Sequence, residues 1–160
     1  MKVTHEIPPL VNKNSRVLVL GSFPSPASRN EGFYYMHPKN RFWKVLAAVF
    51  NKSEPISKEE RADFALSLGI AIWDVISHCE VAGAADSAIK DALPNDFSKI
   101  HETADIRAVF TTGKLAAKLY KKFTGRDSIV LPSTSPANCA VPFEKLVENY
   151  SEIRKILEKE

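Results

Sequence analysis

Four short stretches hold the side chains that could do chemistry. Gly21-Ser22-Phe23-Pro24-Ser25 opens a long loop. That loop runs on to three consecutive aromatics, Phe33, Tyr34 and Tyr35, and then to His37-Pro38-Lys39-Asn40-Arg41. Asp74 closes an apolar run, with Ser77 just beyond it. Thr111-Thr112-Gly113-Lys114 closes another, and Pro132-Ser133-Thr134-Ser135-Pro136-Ala137-Asn138 follows a third. Hydroxyls and free backbone amides in front of helix starts suit phosphate groups. Aromatic faces suit a stacked base. The same stretches offer no Cys/His metal set and no nucleophile elbow. Thr112-Gly113-Lys114 resembles the end of a triphosphate-binding loop, but the upstream glycine of that motif is missing, which argues against a nucleoside triphosphate site. The plainer reading is a set of turn-rich surface loops with a few core aromatics.

These stretches need a frame. Val17 to Leu20 is apolar on both faces and closed by Gly21, which predicts a buried strand. Gly69 to Trp73, Ile106 to Phe110 and Ser128 to Leu131 read as three further strands. Gly21 to Arg29 reads as loop. Phe42, Val45, Leu46, Val49 and Phe50 recur at helical spacing after a start near Asn40 or Arg41. Ser57 with Glu60 forms the signature of a capping box for a second helix, ended by Gly69. Ser77 to Ala85 reads as loop, and Asp86 to Ala92 and Asp96 to Thr103 as short helical pieces either side of Pro94-Asn95. Lys114 to Phe123 is a helix capped by Gly125, and Phe143 to Leu157 traces the stripe of a last one. Met1 to Ser15 reads as an extended lead-in. Strands alternating with helices imply an α/β fold, a mostly parallel sheet covered on both faces. The carboxyl ends of all its strands then face one edge, where the four stretches converge.

At 160 residues the chain is expected to form a single domain, residues 1–160, with a substantial core. A hydrophobic share of 44% and a charged share of 26% are those of an ordinary globular protein. The formal charge of +3 is compatible with a polyanionic partner without requiring one. Cys79 and Cys139 offer neither metal-site spacing nor a disulfide framework, so a reducing, cytoplasmic setting is the expectation. No apolar run approaches a membrane span and no signal-peptide core is seen, so no membrane partner is expected.

The set GSFPS, YYMHPKNRFW, FTTGK and LPSTSPAN resembles the uracil-DNA glycosylase superfamily. Within it the chain is most similar to the hypoxanthine- (deoxyinosine-) DNA glycosylases. The resemblance spans about Val17 to Asn138. It implies a three-layer αβα sandwich around a central four-stranded, mostly parallel sheet, no cofactor, no metal, and a monomer acting on damaged DNA. The implied reaction is hydrolysis of the bond between a damaged base, here hypoxanthine, and deoxyribose. Such an enzyme takes the base out of the stack, passes through an oxocarbenium-like sugar and stabilises negative charge on the leaving base.

Carried over residue by residue, the resemblance places Gly21, Ser22 and Phe23 in the first motif and Tyr35 at the base-stacking position. Phe23 stands where uracil-directed members carry the Asp or Asn that handles the attacking water. Phenylalanine cannot do that work, and the hypoxanthine branch implies that the amide role moves to Asn40, whose alternative is a helix N-cap. Asp74 falls at a specificity position held by Asn in uracil-directed relatives; an ionised Asp only accepts hydrogen bonds, a protonated one also donates, and the alternative role is a cap for the following segment. Leu131 replaces a donor found in many uracil enzymes. Ser25, Thr112, Gly113, Lys114, Ser133, Thr134, Ser135 and Asn138 would contact DNA phosphates or enter the helix. Two competing readings share the pattern: a uracil/thymine mismatch glycosylase of the same superfamily, and a non-catalytic nucleic-acid binder.

Overall fold

A computed structural model describes residues 2–4, 7–81 and 89–159. The strands are β1 (Lys2–Thr4), β2 (Val17–Gly21), β3 (Ile70–Asp74), β4 (Ile76–Val81), β5 (Ile89–Pro94), β6 (Ala108–Thr112) and β7 (Ile129–Leu131). The helices are α1 (Pro26–Glu31), α2 (Phe42–Val49), α3 (Lys58–Leu68), α4 (Ser98–Thr103), α5 (Lys114–Thr124) and α6 (Phe143–Glu158).

The core sheet has four parallel strands in the order β3-β2-β6-β7. Every residue of β2 and β3 is buried, so both faces of the sheet centre are covered, as the continuous apolar runs require. Helices α2 and α6 pack on each other, α3 packs on β3, and α5 on β6 and β7. The result is the expected three-layer α/β arrangement. From β2 the chain goes to β3 on one side, whereas β6 goes to β7 on the other. The strand order therefore reverses between β2 and β6, and a crevice opens beyond their carboxyl ends.

Register fixes what lines that crevice. Gly21 pairs with Asp74, Leu20 with Thr111, and Thr112 with Leu131. One step past the Leu20–Thr111 pair, Asp74, Gly21, Thr112 and Leu131 form a single row across the four strand ends.

Local signals hold at most boundaries. The capping box is complete: Ser57 Oγ accepts from Glu60 N at 3.0 Å and Glu60 Oε1 accepts from Ser57 N at 3.4 Å. Gly69 and Gly125 end their helices with φ of 85° and 74°. The lead-in lies along the outer edge of β3, where Leu10 and Ile72 exchange backbone hydrogen bonds at 2.9 Å.

Three expectations fail. Gly21 to Arg29 is not all loop: Ser25 caps α1, accepting from Ser28 N at 3.2 Å, and Pro26 begins it. Ser77 to Ala85 is not a loop through Val81, and Asp86 to Ala92 is not helical from Ile89 on. These segments supply β4 and β5, which pair antiparallel in a second sheet of order β1-β4-β5; residues 82–88 lie outside the described residues. Lys90, Asp91, Ala92 and Leu93 carry ordinary helix propensity, and pairing with β4 overrides it.

Candidate active site

The row at the strand ends forms the floor of a cavity of about 990 Å³. Its volume falls in the range of small-molecule sites. The residues to which the resemblance assigned a role line it: Asn40, Gly21, Ser22, Phe23, Tyr35, Asp74, Ser25, Thr112, Gly113, Lys114, Ser133, Thr134, Ser135 and Asn138; Phe33, Ser77 and Thr111 do not. His37 and Leu131 line it too.

At the floor, Gly21 is glycine for a steric reason. A Cβ there would lie 2.5 Å from Asp74 Oδ1, 3.4 Å from the Tyr35 hydroxyl and 3.6 Å from Thr112 Oγ1. Three oxygen atoms thus converge over a backbone that has no side chain. Thr112 Oγ1 donates to Leu20 O at 3.4 Å, which leaves it to accept from the Tyr35 hydroxyl 3.3 Å away. Burial and the neighbouring Asp74 charge hold the Tyr35 phenol well above its usual range, and the same two causes act on Tyr34. Both rings are therefore neutral at working pH, and Asp74, 4% exposed, is the only carboxylate among the described lining residues.

Tyr35 is set by its backbone and by a platform. Its φ of 53° is left-handed, rare for a tyrosine. Its ring stacks on Phe42 with centroids 3.8 Å apart and planes 15° apart. The neighbouring aromatics serve the core. Tyr34 is buried and donates to Pro8 O at 2.8 Å, and Phe33 stacks on Trp43. Phe23 gives an apolar wall, with the Arg29 guanidinium 5.4 Å from its ring centroid. His37 Nδ1 accepts from Lys39 N at 3.0 Å, a turn contact rather than a catalytic one.

Asn40 is locked. Its Oδ1 accepts from Phe42 N at 2.9 Å, an Asx turn that leads into α2; the N-cap itself is Arg41, so the capping alternative for Asn40 does not hold. The same oxygen accepts from Thr134 Oγ1 at 2.8 Å. Two donors on Oδ1 fix which way the amide faces. Among the described residues no protein acceptor takes Nδ2, so the group Asn40 offers the cavity is a pair of N–H donors.

The far wall is tied to this amide by contacts that sequence inspection missed. Arg41 donates from its guanidinium to Val141 O at 2.8 Å and Asn138 O at 3.2 Å, and its own N–H donates to Thr134 O at 3.2 Å. Tyr150, on α6, donates to Pro132 O at 2.6 Å. Thr134 is 1% exposed and turned to Asn40, so its side chain positions the amide and is closed to a backbone phosphate. Ser133 and Ser135 accept from backbone N–H groups of Ser135 and Ala137, which leaves each hydroxyl hydrogen to donate outward. Asn138 Nδ2 donates to Ser133 O at 2.8 Å. The hydroxyl of Ser25 is taken up by the α1 cap. Gly113 has φ of 102° and Lys114 is exposed at the start of α5. Among the described residues no cluster of three His, Cys, Asp or Glu side chains could hold a metal.

An amide donor pair, an aromatic platform, a buried carboxylate and hydroxyl-rich rims are parts that can receive an extruded nucleotide. Known proteins agree with this. The family model of the uracil DNA glycosylase superfamily matches residues 8–159. A hypoxanthine DNA glycosylase of Methanosarcina barkeri is 30% identical over 135 residues, covering 82% of this chain and 85% of that protein. Its namesake in Methanosarcina acetivorans is 31% identical with the same coverage. A solution structure of a Methanosarcina acetivorans protein, described as a candidate uracil DNA glycosylase, superposes with a TM-score of 0.80 at 28% identity, covering 95% of this chain and 96% of that one. The chain is thus a DNA glycosylase and belongs to the uracil DNA glycosylase superfamily.

Proposed function

We propose that this glycosylase excises hypoxanthine from deaminated DNA, and that it does so chiefly by stabilising the departing base. The observation that carries this reading is the locked Asn40 amide. Its carbonyl oxygen already accepts two hydrogen bonds, and Phe23 occupies the place where uracil-directed relatives keep a water-handling side chain. The N–H donors of Asn40 are therefore what this side chain turns toward a bound base. In a dissociative reaction the glycosidic bond breaks ahead of water attack, and negative charge gathers on the base. One well-placed donor to such charge supports about 10²–10³-fold in rate.

The remaining parts fit a purine with a lactam edge. Tyr35, backed by Phe42, offers a ring for stacking. Asp74 lines the cavity and, as a carboxylate, can accept from the hypoxanthine N1–H. Ser133, Ser135, Gly113 and Lys114 hold the flanking phosphates. The names of the two Methanosarcina relatives support the same base.

The test is a panel of duplexes carrying one inosine, uracil, xanthine or mismatched thymine, each treated with enzyme and then alkali. Strand breakage is expected first and fastest at inosine. Breakage confined to uracil or thymine would transfer the enzyme to the mismatch branch. No breakage at any lesion, with duplex binding intact, would leave a non-catalytic binder.

A further inference from the structure

Helix α5 carries Lys114, Lys118, Lys121 and Lys122 and no acidic residue. The whole chain has a formal charge of +3, and this one helix accounts for +4, so everything outside it nets to −1. The four lysines are exposed and, at steps of four, three and one residues, fall on one face of the helix. The opposite side is the packed one: Ala116 and Tyr120 are buried, and the helix rests on β6 and β7. Lys121 lies 3.2 Å from Asp127, with the two side chains 55% and 89% exposed. An ion pair that open to water is weak and exchanges readily for another anion.

The stripe is continuous with the active site. Gly113 and Lys114 line the cavity. Because α5 connects two parallel strands, it runs back from the strand ends, away from the cavity rim. Eight residues separate Lys114 from Lys122, about 12 Å at the rise of an α-helix. A DNA duplex carries one charge per roughly 1.7 Å of axis, so a duplex arm beside the lesion matches a stripe of this length and sign.

We propose that α5 is a second DNA-contact track, and that the duplex arm on this side of the lesion is drawn down the flank of the protein as far as Lys122. The inference rests on the chain being a DNA glycosylase, and is independent of which base it removes.

The experiment measures affinity against salt for a long duplex carrying an abasic-site analogue, using wild type, Lys118→Ala, Lys122→Ala and the double variant. Each phosphate contact contributes about 0.9 to the log–log slope, so each single variant should lower the slope by about 0.9 and the double by about 1.8. Lys52 and Lys159 are exposed at the other ends of the helices that start near the cavity. The Lys52→Ala/Lys159→Ala double variant changes net charge equally and should leave the slope unaltered. Trimming one of the two duplex arms, but not the other, should abolish the difference between wild type and the α5 variants. An unchanged slope in Lys122→Ala, or an equal drop in the control, overturns the track while leaving the glycosylase intact. Wild-type affinity that ignores salt would instead remove the DNA substrate itself.

Discussion

The part played by Asn40 can be separated into its components by two substitutions at that one position. Asn40→Ala deletes everything: the acceptor for Phe42 N, the acceptor for Thr134 Oγ1 and the two N–H donors. Loss of the turn hydrogen bond to Phe42 N costs about 0.5–1.5 kcal/mol. The buried Thr134 hydroxyl, left without its acceptor, adds about 1–3 kcal/mol. A total of about 1.5–4.5 kcal/mol is expected, or a fall in Tm of roughly 3–18 °C for a chain of this size. The excision rate should fall about 10²–10³-fold from loss of the donor. Asn40→Asp keeps the shape and keeps an oxygen for both Phe42 N and Thr134 Oγ1, so the melting temperature should hold.

Asn40→Asp does, however, replace the donors facing the cavity with a carboxylate oxygen. A charge about 4 Å from a departing anion, at an effective dielectric near 20, opposes it by about 4 kcal/mol before screening. The aspartate variant should therefore be the more stable protein and the poorer enzyme, down about 10³-fold or more. Single-turnover cleavage of an inosine duplex with enzyme in excess, paired with thermal melting, measures both quantities. The reasoning is refuted if Asn40→Asp matches or exceeds wild type in rate, because an acceptor for a proton from water would improve on becoming a carboxylate. An unchanged rate in Asn40→Ala with a lowered Tm would reduce the residue to a structural role at the entry to α2.

Asp74→Asn should raise activity on uracil relative to hypoxanthine by up to the hundredfold that roughly 2.7 kcal/mol allows, read from the two single-turnover rates; proportional losses on both bases would refute a role in base choice. Gly21→Ala should cut excision at least tenfold, since the new Cβ would sit 2.5 Å from Asp74 Oδ1 and must displace it; over-packing of this kind costs about 1–3 kcal/mol, and a variant with wild-type rate would show that the converging oxygens are not part of the site. The buried phenols give a pH prediction. Burial raises Tyr34, Tyr35 and Tyr150 above the ordinary 10.0, so the unfolded chain loses these protons first as pH rises. Their stabilisation is complete below pH 10 and drains away above it, so circular dichroism should show stability falling on the alkaline side of that point while phenolate absorbance lags until unfolding.

Reading the chain as a sequence recovers the sheet because parallel strands buried on both faces advertise themselves. Val17 to Leu20 and Ile70 to Trp73 are unbroken apolar runs, and each ends where the crevice begins. Candidate site residues are legible for the same reason, since polar residues just past such runs have one edge to gather at. The second sheet is silent because Ile76–Val81 and Ile89–Pro94 lack a regular apolar alternation and pair with each other and with Lys2–Thr4 instead. The roles within the site are hidden by distance. The hydrogen bond from Thr134 to Asn40 spans 94 positions, and the Arg41 contacts to Asn138 and Val141 span 97 and 100. No local pattern encodes such a pair. A serine- and threonine-rich loop reads as a phosphate rim, and only the fold shows that one of its hydroxyls turns inward to orient an amide. That inward turn changes the chemistry assigned to the site. With Thr134 and Phe42 both on its oxygen, Asn40 presents N–H donors to the cavity, which is the arrangement that the proposed stabilisation of the leaving group requires and that the two Asn40 substitutions test.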